Sequence, residues 1–269
     1  LPAIPVGIYI HRYIKEFESM LLRSFIQNFL VPTLLAGILL QNANAHTVIQ
    51  PSEIPEGTRS DNYLVITHGC TNEPVIGTSV VFPDGLDSTI VANGNPHAGP
   101  LSDFIQNWGG LIQIYQDHSI FSEQDVKRDT RGNVVGFWAG GGRTIASHIF
   151  GRIPFVTSAA LINPESCAKS VRFAVAAADI CKITTINDLN TTENAVSFWI
   201  PAVGSKYDGT PGGHAFDFPV YFTITRDLAT NPLPESCGAG LQVTVRPSAA
   251  QIDRDMPIQF NGAQVWPQP

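Results

Sequence analysis

Charge and helical periodicity are both scarce in this chain. Charged residues make up 14% of its 269 positions, while glycine and proline number 23 and 20. That is turn-rich composition and argues against a helical protein. No window outside the N-terminal region sustains a helical period. No basic patch exists, so no nucleic-acid partner is expected. Cysteine is sparse, and no two cysteines stand at C-x-x-C spacing, which disfavours a zinc ribbon or a thioredoxin-type site. No H-x-x-x-H or H-E-x-x-H pair occurs. The triglycine at 140–142 has no Lys-Ser/Thr after it and reads as a tight turn. With no G-x-S-x-G elbow either, phosphate-loop and serine-hydrolase chemistry lack support.

What is present starts near the N-terminus. Met20 is followed by Arg23, by the apolar run "FIQNFLVPTLLAGILL", and by Ala43-Asn44-Ala45. A positive region, an apolar region and a small-residue site in that order describe a secretory signal. The run is short for a ~20-residue span and is broken by Gln27, Asn28 and Pro32, which argues against an anchor. Residues 1–45 are therefore read as upstream residues and a signal peptide cleaved after Ala45. The exported chain, periplasmic or beyond, then begins at His46 and retains no membrane span. Losing three basic and two acidic residues shifts the net charge from -7 to about -8. Cys70, Cys167, Cys181 and Cys237 all lie in the exported part, and an even number there implies disulfides.

Strand signals recur through the mature chain. "NYLVITH" (62–68) and "VIGTSVVF" (75–82) are β-branched and short, and the turn "PDG" (83–85) ends the second. "GLIQIYQ" (110–116) and "LQVTVR" (241–246) alternate apolar and polar residues. "VRFAVAAA" (171–178) sets Val171, Phe173 and Val175 on one face. Short strands at this spacing predict an all-β fold, an immunoglobulin-like β-sandwich. The tract 84–133 reads as loops with one or two strands, and "GSKYDGTPGG" (204–213) as a linker. The expected organisation is a sandwich over 46–204, then 205–269 as linker and β extension packed on it.

An N-terminal histidine is chemically distinct from an internal one. Its free α-amine and its imidazole Nδ1 can hold one metal together, and two nitrogen donors suit Cu(II). The position of His46 is thus the functional signal. The other mature histidines are His68, His97, His118, His148 and His214, and any of them can approach His46 in space. Met256 is the one methionine left after cleavage, which argues against a Met-rich Cu(I) site.

The neighbourhood of His46, "AHTVIQPSEIPEGT…YLVITHGCTNEPVIGTSVVFPDG", resembles the start of the YcnI-like bacterial copper-binding domain. The resemblance continues at "VVGFWAGGGRTIASHIFGRIPF" (134–155), "VRFAVAAADIC" (171–181) and "FWIPAVG" (198–204). It covers 46–204 in patches, and the order of the motifs carries it. The resemblance implies copper as the cofactor, bound by the amine and imidazole of His46 with Trp138 lying against the metal. An aromatic face beside a cation is favourable and keeps water off one side. It also implies a Cys70–Cys181 disulfide, which leaves Cys167–Cys237. The other arrangement is Cys167–Cys181 with Cys70–Cys237. The expected function is storage, buffering or delivery of Cu(II), with copper-transport proteins as partners and no catalysis. A histidine-brace copper monooxygenase, which needs a second histidine beside the first, and a metal-free interaction module are the competing expectations.

Overall fold

The computed structural model describes residues 46–200, 202–209 and 220–269. The expected cleavage site after Ala45 and the signal segment lie outside them, as do His214 and residues 210–213 of the expected linker. The strands in chain order are β1 (Val48–Gln50), β2 (Glu53–Pro55), β3 (Ser60–Ile66), β4 (Val75–Val81), β5 (Thr89–Ala92) and β6 (Asn95–His97). Next come β7 (Ile105–Gln106), β8 (Ile112–Ile114), β9 (Phe121–Arg128), β10 (Val134–Ile145), β11 (Gly151–Thr157) and β12 (Leu161–Ile162). The last six are β13 (Ala168–Ile180), β14 (Val196–Trp199), β15 (Val220–Thr225), β16 (Leu241–Arg246), β17 (Ile258–Phe260) and β18 (Ala263–Trp266). A helix, α1 (Ala249–Asp255), lies between β16 and β17.

These strands make an all-β sandwich. A four-stranded sheet in the order β1-β3-β11-β8 faces a ten-stranded sheet whose main path is β6-β5-β16-β13-β4-β10-β9. Alternation along each strand sends every second side chain between the sheets. Leu64, Ile66 and Phe155 come from the small sheet, and Val80, Phe137, Phe173, Val175 and Phe222 from the large one, all buried in one cluster. The Phe155 ring meets Phe82 at 6.0 Å and Phe137 at 5.4 Å between centroids, so aromatic contacts join the two layers.

β13 organises the large sheet. Residues 170–175 pair antiparallel with β15, while the stretch from Ala168 to Phe173 pairs parallel with β16. Further along, Ala176–Ile180 pairs with β4, and Ala177–Ile180 with β14. The segment after 204 is therefore not simply laid on a finished sandwich: β15 and β16 are strands within its large sheet. Only its last part, α1 and the β17–β18 hairpin, covers the outer face. There Ile252, Met256, Ile258 and Trp266 bury Val81, Trp138, Ala178 and Phe198 in a second cluster. α1 is too short to leave a periodic signal. Ser248 caps it by accepting from the Gln251 N–H at 3.0 Å. The Gln251 amide reaches Phe82 O at 2.8 Å, and Arg254 bonds the buried Asp84 at 2.8 Å, so the helix is tied to the "PDG" turn.

The strands expected at 62–68, 75–82, 171–178 and 241–246 are present, and 110–116 contains the shorter β8. The 84–133 tract is richer than expected, holding β5 to β9. The triglycine is not a hairpin turn. It lies inside β10, where the register shifts between Gly140 and Ile145 and Gly141 and Gly142 take φ of 74° and 70°. A bulge needs such left-handed backbone, which glycine reaches without a Cβ penalty.

The disulfides are Cys70–Cys181 and Cys167–Cys237, with Cα separations of 6.1 and 5.2 Å, and no cysteine is free. The second ties β13 to the segment leading into β16. Beside it the buried Arg226 donates to the carbonyls of Pro164, Ser166, Ala168, Asn231 and Pro232. Replacing Cys167 and Cys237 together by alanine is expected to lower the unfolding free energy by about 2–4 kcal/mol, since the bridge closes a long loop of the unfolded chain. Denaturant unfolding followed by circular dichroism checks this, with the folded β spectrum retained.

Candidate metal centre at His46

His46 stands one residue outside a firmly held stretch of backbone. β1 pairs with β3 in the register Val48↔Val65, and Ile49 is buried in the main core. Between them and His46, Thr47 is buried and its hydroxyl donates to Asp179 Oδ2 at 2.5 Å. Thr78 on β4 donates to the other carboxylate oxygen at 2.9 Å. Asp179 is fully buried on the inner face of β13, in line with Val171, Phe173, Val175 and Ala177. His46 itself is half-buried. The structure thus places the candidate ligand against the sandwich body, held from behind by a threonine–aspartate contact between the two sheets.

Burial pushes the Asp179 carboxyl up to about 6. The hydrogen bonds from Thr47 and Thr78 and the nearby charge of His68 pull the other way. Ionising a group out of contact with water is unfavourable, and two hydroxyl donors offset only part of that. Asp179 was not among the residues singled out in the sequence. Its signal was nonetheless there, as one acid inside the apolar run "VRFAVAAADIC".

The "HGC" motif forms the neighbouring wall. Cys70 is bridged to Cys181, two residues past Asp179, and the Gly69 N–H bonds Ser147 O at 3.2 Å. A Cβ on Gly69 would stand 1.9 Å from Glu73 O, so this turn closes only around glycine. The His68 ring is 6.4 Å from the buried Trp199 ring, centroid to centroid, and its Nδ1 lies 2.5 Å from Gly69 O. A polar recess of about 390 Å³ opens beside His68, with Thr71, Glu193, Asn194 and Ser197 on its walls. Lys182 bridges Glu73 at 3.1 Å and donates to Glu193 O at 3.0 Å, fastening the loop after β13 to the "HGC" turn.

Trp138 is elsewhere. It projects from the outer face of β10, 6% exposed, into the cluster under the β17–β18 hairpin, and meets Phe260 edge-on at 5.9 Å. Asp179 is on the inner face of the same sheet, and Thr47 meets it there from the side of the small sheet. The alternation of β10 decides this: Phe137 and Ala139 face inward, so Trp138 between them faces out. The structure accordingly does not bring Trp138 to the Thr47–Asp179 contact; a tryptophan on the inner side, beside His68, is Trp199. His97 pairs with Asp103 at 2.8 Å, His118 lies beside Gln116, and His148 is exposed in the turn after β10.

The donors fit a metal in a limited way. Among the described residues, no group of three or more His, Cys, Asp or Glu side chains is arranged to hold a metal ion. Both cysteine pairs are oxidised, so no thiolate is on offer. Both Asp179 oxygens already accept hydroxyl hydrogen bonds. What remains is the chelate that a processed His46 would form alone, two nitrogens with the other positions left to water. That set matches Cu(II) and is poor for Cu(I).

No protein-family model matches this chain, and no curated protein matches it.

The buried carboxyl makes a pH prediction. Its pKa is raised on folding, so the folded state holds a proton that the unfolded state loses between about pH 4 and 6. This group's contribution therefore favours folding below that window and is lost as pH rises through it. Asp179→Asn is expected to remove the loss. At pH 7 the variant should be more stable than wild type by roughly 2–3 kcal/mol, at about 1.4 kcal/mol per unit, and the gap should close towards pH 4. Urea unfolding of both proteins from pH 4 to 8 measures it.

Proposed function

We propose that this chain is an exported Cu(II)-binding protein that takes its metal through His46 as the first residue of the mature form. The observation that carries the reading is the Thr47–Asp179 hydrogen bond. It fixes the backbone next to His46 on a rigid scaffold, so the amine and imidazole of that residue are held for chelation with little further ordering. Preorganised donors lose less conformational entropy when the metal arrives. Two disulfides support an oxidising compartment. No helix among the described residues is long and apolar enough to cross a membrane. The resemblance of the His46, "HGC" and Trp-Gly-rich motifs to the YcnI-like domain adds to this reading, which does not draw on Trp138.

When bound, copper would supply a Cu(II) centre with exchangeable positions, open to delivery or removal. The chain's own contribution is to hold His46 in place, keep its thiols oxidised and present a polar recess beside His68. Storage, buffering or hand-over to a copper-transport partner is the function this serves.

The test is Cu(II) titration of the processed protein beside three variants with defined N-termini. One extra residue before His46 turns the amine into an amide, and His46→Ala removes the imidazole. Either change is expected to weaken binding by orders of magnitude. Trp138→Phe is expected to leave it unchanged, since that ring is on the other face of the sheet. Both donor nitrogens bind metal only when deprotonated, so affinity falls as pH is lowered below neutrality. An extended protein that binds as tightly as the native one overturns the reading.

A further inference from the structure

Asn190-Thr191-Thr192 is the chain's one N-x-S/T sequon with a residue other than proline in the middle. Asp188 stands two residues before the asparagine, so the stretch also fits D-x-N-x-T, the extended pattern that bacterial N-oligosaccharyltransferases read. Such a motif carries meaning only where the fold presents it on the surface of an exported chain.

The fold does present it. The sequon lies in the loop that joins β13 to β14. The base of this loop is closed, since Cys181 is bridged to Cys70 and the N–H groups of Cys181 and Lys182 both donate to Ala195 O, at 2.8 and 3.0 Å. Further out, Leu189 is 1% exposed and packs into the outer-face cluster beneath α1 and the β17–β18 hairpin. Asp188 organises the turn. Its carbonyl accepts from the Thr191 and Thr192 N–H groups at 3.1 and 2.8 Å, and its carboxylate accepts from the Thr185 hydroxyl at 2.7 Å. Asn190, next to the buried leucine, is exposed. Neither its amide nor the Thr192 hydroxyl bonds another described residue. Other asparagine amides are committed to the fold: Asn62 donates to Pro51 O, Asn133 to Asp129, and Asn231 to Glu56 and Ile162 O. An exposed, unengaged amide and the sequon therefore coincide at Asn190.

We infer that Asn190 is an N-glycan acceptor. In the transfer, its Nδ2 bonds the anomeric carbon of an oligosaccharide carried on a polyprenyl diphosphate. The bond from that carbon to the diphosphate oxygen breaks, polyprenyl diphosphate leaves with the electron pair, and the amide gives up one proton. Asn190 and Thr192 line the polar recess beside His68, so the glycan stands at its mouth as a bulky, hydrated group. Such a transfer requires export, which the proposed function also assumes, and it does not require copper.

The experiment takes the protein from its native cells, digests it with trypsin and reads the peptides by tandem mass spectrometry. Lys182 and Lys206 bound a stretch without lysine or arginine, so 183–206 is released as one peptide. In wild type this peptide should carry a glycan mass located on Asn190. Asn190→Gln and Thr192→Ala should lose it, and Thr192→Ser should keep it. The N-terminal peptide of the same digest reports processing. A bare 183–206 beside an N-terminus at His46 overturns the inference and leaves export standing, while a bare 183–206 beside an uncleaved N-terminus overturns both. A glycan on Thr191 or Thr192, or one that survives Asn190→Gln, also overturns it.

Discussion

The structure depends on one strand that must satisfy partners on both edges along its whole length. β13 pairs with β15 and β16 through its first half and with β4 and β14 through its second. Its inner face is apolar up to Ala177 and then ends in Asp179. Its outer face is pared down to Ala176 and Ala178, small enough for the C-terminal cover to approach. Buried backbone groups must be paired, and a thirteen-residue strand cannot be paired by the first part of the chain alone. That need draws the late strands β15 and β16 into the sheet. The two disulfides fasten the chain on either side of the strand, Cys167 before it and Cys181 after it.

Much of the sandwich was legible because its strands alternate. "LQVTVR" and "VRFAVAAA" showed their faces in the sequence, and both became strands of the large sheet. The disulfide pairing implied by the family resemblance is the one observed. The tail was harder to read. "VYFTIT" sits beyond a Gly- and Pro-rich stretch, and nothing local reveals that its pairing partner is β13, about fifty residues earlier. The seven-residue helix was invisible for a different reason: two turns are too few for a period, and its stability comes from Ser248, Gln251 and Arg254 contacts with distant residues.

The site was legible only in part. His46 drew notice because the expected cleavage after Ala45 would give it chemistry that no internal histidine has. Trp138 was singled out by resemblance, but a one-residue step along a strand moves a side chain through the sheet, and here it faces the C-terminal cover. Asp179 escaped notice because a sequence does not say that an acid in an apolar run is fully buried, or that two threonines far apart in the chain converge on it. The two faces of one sheet thus carry two different chemistries. The inner face has a polar contact behind a candidate metal ligand, and the outer face is apolar beneath its C-terminal cover.

The most direct check is pulsed electron paramagnetic resonance of the Cu(II) complex of the processed protein at one equivalent of metal. Nitrogen couplings are expected from one coordinated imidazole and one directly bound amine, the imidazole coupling being lost in His46→Ala. Two coordinated imidazoles would bring in a second histidine, such as His68, and contradict a site built by one residue. A spectrum with no imidazole at all would contradict the copper reading outright.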